Sequence, residues 1–135
     1  MFVNYPPIEY INIPKIAVYE SVGYSNDIYS NGHTSYLVYS DTPFIVSHDW
    51  GTFRNLKDLQ IGDEVDLSGE YGWRKYEVKD KVILHYPEET TFENAKYISD
   101  RNETEAVLYT CDGDSGNNGN NLLTIYLDER GIYEK

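Results

Sequence analysis

Short runs of apolar and β-branched residues, separated by turn-forming residues, recur along the whole chain. These runs predict β-strands at residues 11–18, 35–39, 44–46, 64–67, 75–78, 81–85, 106–110 and 122–127. Pro14 interrupts the first run and predicts an edge or bulged strand there. The glycine-containing segment 68–72 predicts a turn between two alternating runs. Strands of this number and spacing indicate an all-β fold, either a small barrel or a sandwich.

One helical segment is predicted in the middle of the chain. The apolar residues of segment 53–59 recur at helix-like spacing, Thr52 precedes them as a candidate N-cap, and Gly62 ends the segment. Residues 86–105 show only weak periodicity and predict one long loop, with a helical turn around 92–97. A connection of this length is uncommon in a compact domain unless it serves a function.

The composition limits the classes of partner. The chain has 135 residues, enough for one domain with a hydrophobic core, and 14 of them are tyrosines. Its formal charge of −12 repels phosphate backbones, so nucleic acid is not expected as a partner. The same charge would attract cationic peptides weakly, but a solubilising surface is the favoured explanation.

No apolar run approaches the length of a membrane span, which needs about 20 residues. The first ten residues also lack the basic and apolar regions of a signal peptide. Either the protein is soluble where it is made, or an anchor has been removed. In the second case we expect the extracytoplasmic cell surface as its location.

Cys111 is the single cysteine of the chain, so an internal disulfide is excluded. A lone cysteine is either a small buried hydrophobe or a nucleophile. Cys111 closes the apolar run 106–110 and precedes segment 113–121, which is rich in glycine and asparagine. A strand end of this kind holds a side chain rigidly while leaving it accessible, but a structural thiol remains open.

A nucleophilic cysteine requires a group that favours the thiolate, typically a histidine. His48 ends the apolar run 44–47 and is followed by turn-forming residues. Because strand ends of one sheet meet at one rim, His48 and Cys111 form the favoured pair. His33 lies in a polar stretch and is interpreted as a solvated loop residue. His85 ends another predicted strand and is expected at the rim near the site.

Four segments resemble motifs of the sortase family of cell-surface transpeptidases. They are, in chain order, IPKI at 13–16, FIVSH at 44–48, FRNLKDL with the following GDEV within 53–65, and VLYTC at 107–111. The family usually has glycine where Ser47 stands and threonine where Val107 stands. The order of the motifs and the separation of His48 from Cys111 also fit the family, and the match extends from about residue 10 to residue 127.

The resemblance implies one catalytic domain over residues 1–135, with 1–9 as an N-terminal extension, built as an eight-stranded β-barrel with one or two short helices. It also implies recognition of a Leu-Pro-x-Thr-Gly-like sorting signal. Cys111 would attack the threonine carbonyl to form a thioacyl intermediate. His48 would act as general acid toward the leaving amine and then as base toward the incoming amine. No cofactor and no metal ion are expected.

The resemblance also places residues around the substrate. Thr110 and Tyr109, next to the nucleophile, are expected to hold the peptide, and His85 and the loop residue Arg101 are further candidates. The family carries an arginine just before an apolar triplet on the strand that follows the cysteine. Here residues 122–124 match the triplet, and Asn121 stands at the arginine position.

The missing arginine leaves three outcomes open. Asn121 substitutes weakly as a neutral donor, another arginine such as Arg101 or Arg54 reaches the site, or the chain is a degenerate member. Arg54 is better explained by a structural turn. Loss of one oxyanion donor costs a factor of about 10²–10³ in rate. Three functions follow: an active sortase, an acidic barrel that binds peptides without turnover, and a cysteine hydrolase.

Overall fold

The computed structural model describes residues 8–24, 34–39, 42–48, 51–69, 72–85, 88–95, 105–111 and 121–133. Nine strands lie in these ranges: β1 Ile8–Ile13, β2 Val18–Ser21, β3 Gly23–Tyr24, β4 Ser35–Tyr39, β5 Thr42–Val46, β6 Glu64–Gly69, β7 Gly72–Leu84, β8 Ala106–Cys111 and β9 Leu122–Tyr133. The same ranges contain two 3₁₀ turns, Pro14–Ile16 and Leu56–Asp58, and one four-residue helix, α1, Phe92–Ala95. The prediction of an all-β fold with short helices is confirmed.

The strands form one sheet in the order β2-β1-β6-β7-β9-β8-β5-β4-β3. Its two ends are joined because β2 and β3 are consecutive in the chain. The Val22 N–H donates to the Glu9 carbonyl in β1 at 2.8 Å, and the next N–H, of Gly23, donates to the Thr34 carbonyl before β4 at 3.1 Å. Segment 18–24 therefore bonds to both ends of the sheet and closes it. The described strands number nine in one curled sheet, which differs from the eight expected, while the all-β class is as predicted.

Alternate residues of the strands face the interior and build the main core. Ile11 on β1, Leu108 on β8 and Ile125 on β9 are completely buried there, as strict alternation requires. Segment 53–59 packs against this core through its apolar residues, which are also buried.

The prediction of a helix over 53–59 is wrong, because only a short 3₁₀ turn forms within this segment. Residues 51–55 form turns, and a 3₁₀ turn covers Leu56–Asp58. The three apolar residues of the segment are spaced by three, which matches the 3.0 residues per turn of a 3₁₀ helix better than the 3.6 of an α-helix. They are Phe53, Leu56 and Leu59.

The first predicted strand, 11–18, is divided in the structure. Pro14 starts a 3₁₀ turn, and Ala17 adopts a left-handed φ of 58° before β2 begins. A proline cannot donate a ladder hydrogen bond, so the chain turns here and does not continue as a bulged strand. At the amino end, Ile8 and Glu9 belong to β1 and not to an extension.

The predicted strands 75–78 and 81–85 are parts of one strand, β7. Its pairing with β9 shifts register between Val78 and Asp80. Such a bulge reverses the alternation without ending the strand, which explains why the sequence pattern divides in two. The strand ends at Leu84, one residue before His85. β9 also extends beyond the predicted 122–127.

A second apolar cluster lies on the outer face of the barrel, across β5, β7, β8 and β9. Its buried members are Phe44, Leu84, Ala95, Val107 and Tyr126. Ala95 belongs to α1, so the described part of the long 86–105 connection packs on this face. The predicted helical turn is confirmed for 92–95, while 96–97 lie outside the described residues. Burial, together with the carboxylates of Asp80 and Glu89, raises the pKa of Tyr126 to about 12.

Candidate active site

Strands β5 and β8 are parallel neighbours, so their carboxyl ends reach the same rim of the barrel. Val46, the last residue of β5, is paired with Tyr109. The Thr110 hydroxyl then donates to the Ser47 carbonyl oxygen at 2.6 Å, which continues the alignment by one residue. The next residues on the two segments are His48 and Cys111. Since neighbouring strands lie about 4.8 Å apart, the backbones of the two candidates are adjacent.

Asn121 joins the same rim from the other side. Cys111 is the last residue of β8 and pairs with Leu122 at the start of β9. Asn121 immediately precedes Leu122 and is buried. Three neighbouring strands thus bring the positions of His48, Cys111 and Asn121 together. The thiol of Cys111 lies outside the described part of the structure, as does the whole of Arg101.

His48 is the second residue after β5 and is partly exposed. The Gly51 N–H donates to the His48 carbonyl oxygen at 3.1 Å, so a tight turn begins at the histidine. The backbone at His48 is therefore fixed on one side by β5 and on the other by this turn. Partial exposure leaves the imidazole within reach of a peptide arriving from solvent.

Two residues behind this rim were not predicted as part of the site. The hydroxyls of Thr34 and Ser47 are buried, and Thr34 Oγ1 donates to Ser47 Oγ at 3.2 Å. The polar Ser47 at the end of an apolar run was a visible signal. Thr34 carries no such signal, because only the pairing of β4 with β5 brings it beside Ser47.

Thr110 lies directly before Cys111 on β8. The resemblance implies that it holds the substrate, but its side chain is only 2% exposed and its hydroxyl is engaged by the Ser47 carbonyl. It lies on the same interior face of β8 as Leu108 and Ala106. This hydroxyl links the ends of the two neighbouring segments, and a contact of Thr110 with the substrate stays a prediction.

The other candidates lie around the rim at different distances. His85 is exposed and follows Leu84, which pairs with Leu122, so it stands two strands away from Cys111. Its backbone N–H donates to Glu89 Oε1 at 2.9 Å. Tyr109 is partly buried against the outer cluster, edge-on to the Phe44 ring at a centroid distance of 5.9 Å.

Arg54 lies in the turn after His48, where its N–H donates to the Gly51 carbonyl oxygen at 3.0 Å, and its side chain is exposed. Among the side chains that the structure describes, no three His, Cys, Asp or Glu residues gather as metal ligands. Over the same residues, no helix has the length and apolar character needed to cross a membrane.

A family model of the sortase domain matches residues 11–125. Sortase C-3 from Streptococcus pneumoniae superposes with a TM-score of 0.74 at 21% identity, over 96% of this chain and 66% of that one. Sortase A from Corynebacterium diphtheriae gives 0.68 at 18% identity, over 96% and 63%. Sortase C from Clostridium perfringens, solved with the C-terminal cell wall sorting motif, gives 0.68 at 18% identity, over 96% and 74%.

The chain therefore spans less than two thirds of the length of the first two of these structures. At identities of this size, the superpositions establish the barrel fold. No curated protein matches the chain.

Proposed function

The chain belongs to the sortase family, and on that premise we propose that it is a cysteine transpeptidase that cleaves a Leu-Pro-x-Thr-Gly-like sorting signal and transfers it to an amine. The family rests on the match over residues 11–125. The observation that carries the chemistry is the parallel pairing of β5 with β8, continued by the Thr110–Ser47 hydrogen bond. This pairing supports Cys111 as the nucleophile and His48 as its proton-transfer partner.

In the first half-reaction, the Cys111 thiolate attacks the carbonyl carbon of the signal's threonine. The resulting oxyanion collapses, the Thr–Gly amide bond breaks, and His48 gives its proton to the leaving glycine amine. The products are a thioester on Cys111 and a free amino group. A thiolate and an imidazolium side by side supply the nucleophile and the acid of this step.

In the second half-reaction, an incoming amine attacks the thioester carbonyl. His48 takes the proton of that amine, the new amide bond forms, and Cys111 leaves as the thiolate. The starting protonation state is restored without a cofactor or a metal ion. Water in place of the amine would give hydrolysis by the same route.

We expect the proposed site to stabilise the oxyanion only weakly. Asn121 offers a neutral amide where the family uses a charged guanidinium, and charge-assisted hydrogen bonds are about twice as strong as neutral ones. We assign Asn121 as the donor at this position, with Arg101 as the alternative. Tyr109 and His85 are assigned to the peptide-binding surface, the first as part of its apolar base and the second at its margin.

Asn121 also favours a second candidate function, a barrel that binds sorting-signal peptides with little or no turnover. The fold and the outer cluster do not need the arginine, whereas the rate of thioacyl formation would fall without it. Sortases act at the cell surface, so we place the protein there.

Mass spectrometry separates the candidates. The protein is incubated with a sorting-signal peptide and an amine, with Cys111→Ala as the control. A thioacyl adduct on Cys111 followed by transfer to the amine supports the transpeptidase. An adduct that resolves only to the free acid identifies a hydrolase, and binding without an adduct identifies the binding module.

A further inference from the structure

Three buried hydroxyl groups connect three strand ends directly behind the candidate site. Thr110 Oγ1 donates to the Ser47 carbonyl oxygen at 2.6 Å, and Thr34 Oγ1 donates to Ser47 Oγ at 3.2 Å. Thr110 belongs to β8, Ser47 is the first residue after β5, and Thr34 is the last residue before β4. Each is no more than 3% exposed, so water cannot replace these partners freely.

A buried hydroxyl that loses its partner carries the full cost of its desolvation. The network therefore has one favoured arrangement, and departures from it are penalised. Two of its members are bonded directly to the candidates for the chemistry: Ser47 precedes His48, and Thr110 precedes Cys111. A restraint on these two peptide units is also a restraint on the distance between the backbones of His48 and Cys111.

We propose that Ser47 is a positioning residue, and that the Thr34–Ser47–Thr110 network holds His48 in register with Cys111 during thioacyl formation. The inference rests on the proposed transpeptidase function. The position usually holds glycine in the family that the motif resembles, and glycine has no hydroxyl with which to contact Thr34. The hydrogen bond between the Thr34 and Ser47 hydroxyls is therefore specific to this chain.

If the network served only stability, removing any buried hydroxyl near it should have the same effect on the rate. Thr42 is also buried at 3% exposure, lies on the same β4–β5 pair, and stands at the opposite end of β5 from His48. A substitution there removes a buried hydroxyl of the same kind without touching the rim. Thr42→Val is consequently the matched control for Thr34→Val.

The experiment compares six proteins: wild type, Thr34→Val, Ser47→Ala, the double variant of these two, Thr34→Ser and Thr42→Val. Single-turnover thioacyl formation should slow about tenfold in both single variants with KM within twofold, since a misplacement of about 1 Å costs up to 10²-fold. The double variant should be no slower than either single variant, because both remove the same contact. Thr34→Ser keeps the hydroxyl and should therefore retain the wild-type rate. Thr42→Val should also leave the rate of thioacyl formation unchanged.

A second readout needs no sorting signal. Alkylation of Cys111 by iodoacetamide at pH 7 should slow about threefold in Thr34→Val and Ser47→Ala, because an imidazolium that is poorly placed favours the thiolate less. If the wild type forms no thioacyl adduct, the proposed function fails, while the alkylation rates still decide the role of the network. Equal rates in all variants, or losses in Thr42→Val as large as those in Thr34→Val, would overturn the positioning role.

Discussion

The Thr110 hydroxyl donates a 2.6 Å hydrogen bond to the Ser47 carbonyl oxygen, across the parallel strands β8 and β5. Parallel neighbours cannot be joined by a tight hairpin, so the two segments are far apart in the chain and are brought together by the barrel alone. His48 and Cys111 are the next residues on each side. Chemistry that requires this pair therefore depends on the pairing of β5 with β8.

Cys111→Ala should abolish the thioacyl adduct while leaving the fold intact. A thiol that serves catalysis at a strand end fills little of the core, so the free energy of unfolding should fall by less than about 1.5 kcal/mol. Urea unfolding measures this change, and mass spectrometry measures the adduct. A loss of several kcal/mol would instead support the structural thiol that the sequence left open.

His48→Gln should lower the rate of thioacyl formation by a factor of about 10²–10⁴, the usual contribution of a positioned proton-transfer group. His48 is partly exposed, so the unfolding midpoint should change little. His85→Gln is the companion variant and should alter KM without lowering the maximal rate. If the two variants lose the same maximal rate, the assignment of the acid–base role to His48 is contradicted.

The sequence predicted the strands most accurately where alternation is uninterrupted. The run 35–39 corresponds to β4, and β8 ends at Cys111 as predicted, whereas β5 ends at Val46, two residues before His48. What the pattern could not provide is the pairing of those runs. Whether β5 lies beside β8, and in which direction, depends on contacts between residues that are distant in the chain.

The errors have local physical causes. A bulge between Val78 and Asp80 made one strand look like two, and spacing by three suggested an α-helix where a 3₁₀ turn forms. The contact of Thr34 with Ser47 could not be predicted at all, because a lone threonine before a strand has no distinguishing pattern. Sites built by tertiary pairing are visible from the sequence only through the residues that carry chemistry.

Leu56→Ala should destabilise the barrel by about 2–5 kcal/mol, the usual cost of removing a large side chain from a packed core. Leu56 is completely buried in the 3₁₀ turn that packs against the barrel interior. Lys57→Ala, one residue further and exposed, should change the free energy of unfolding by less than about 0.5 kcal/mol. Similar values for both variants in urea unfolding would show that the turn does not seal the core.

Asp63 should make the stability depend on pH. The Gln60 N–H and Lys15 Nζ both contact Asp63 Oδ2, at 2.8 Å and 3.0 Å, and the hydrogen bond from Gln60 is the main cause that lowers the pKa of Asp63 below its usual 3.8. A carboxyl whose pKa is lower in the folded state stabilises the fold fully above its unfolded pKa, and this contribution is lost as the pH falls through the folded pKa.

Asp63→Asn should therefore cost about 1 kcal/mol at pH 7, a modest value because the group is partly exposed, and progressively less below pH 4. Urea unfolding at both pH values measures the difference. Asp58→Asn, at an exposed aspartate of the same loop, is the control and should change the stability by less than about 0.5 kcal/mol at either pH. A cost for Asp63→Asn that does not shrink in acid would exclude the carboxylate as its source.

Asn121 provides the sharpest test of how much activity the site can support. The residue is buried immediately before Leu122, which pairs with Cys111. If its amide stabilises the oxyanion, the wild type is a slow enzyme and Asn121→Ala is slower still, by up to about 10²–10³-fold. Asn121→Arg should accelerate thioacyl formation, because a guanidinium donates charge-assisted hydrogen bonds.

Single-turnover acylation of Cys111 should be measured in the wild type, Asn121→Arg, Asn121→Ala and Arg101→Ala. If acylation slows in Arg101→Ala but not in Asn121→Ala, Arg101 and not Asn121 stabilises the oxyanion. Because a buried arginine needs compensation for its desolvation, Asn121→Arg must also be checked by urea unfolding, and a slow variant that has lost stability is not evidence against the site. Equal acylation rates in all four folded proteins would mean that neither residue stabilises the oxyanion, and the assignment of this rim as the oxyanion site would be wrong.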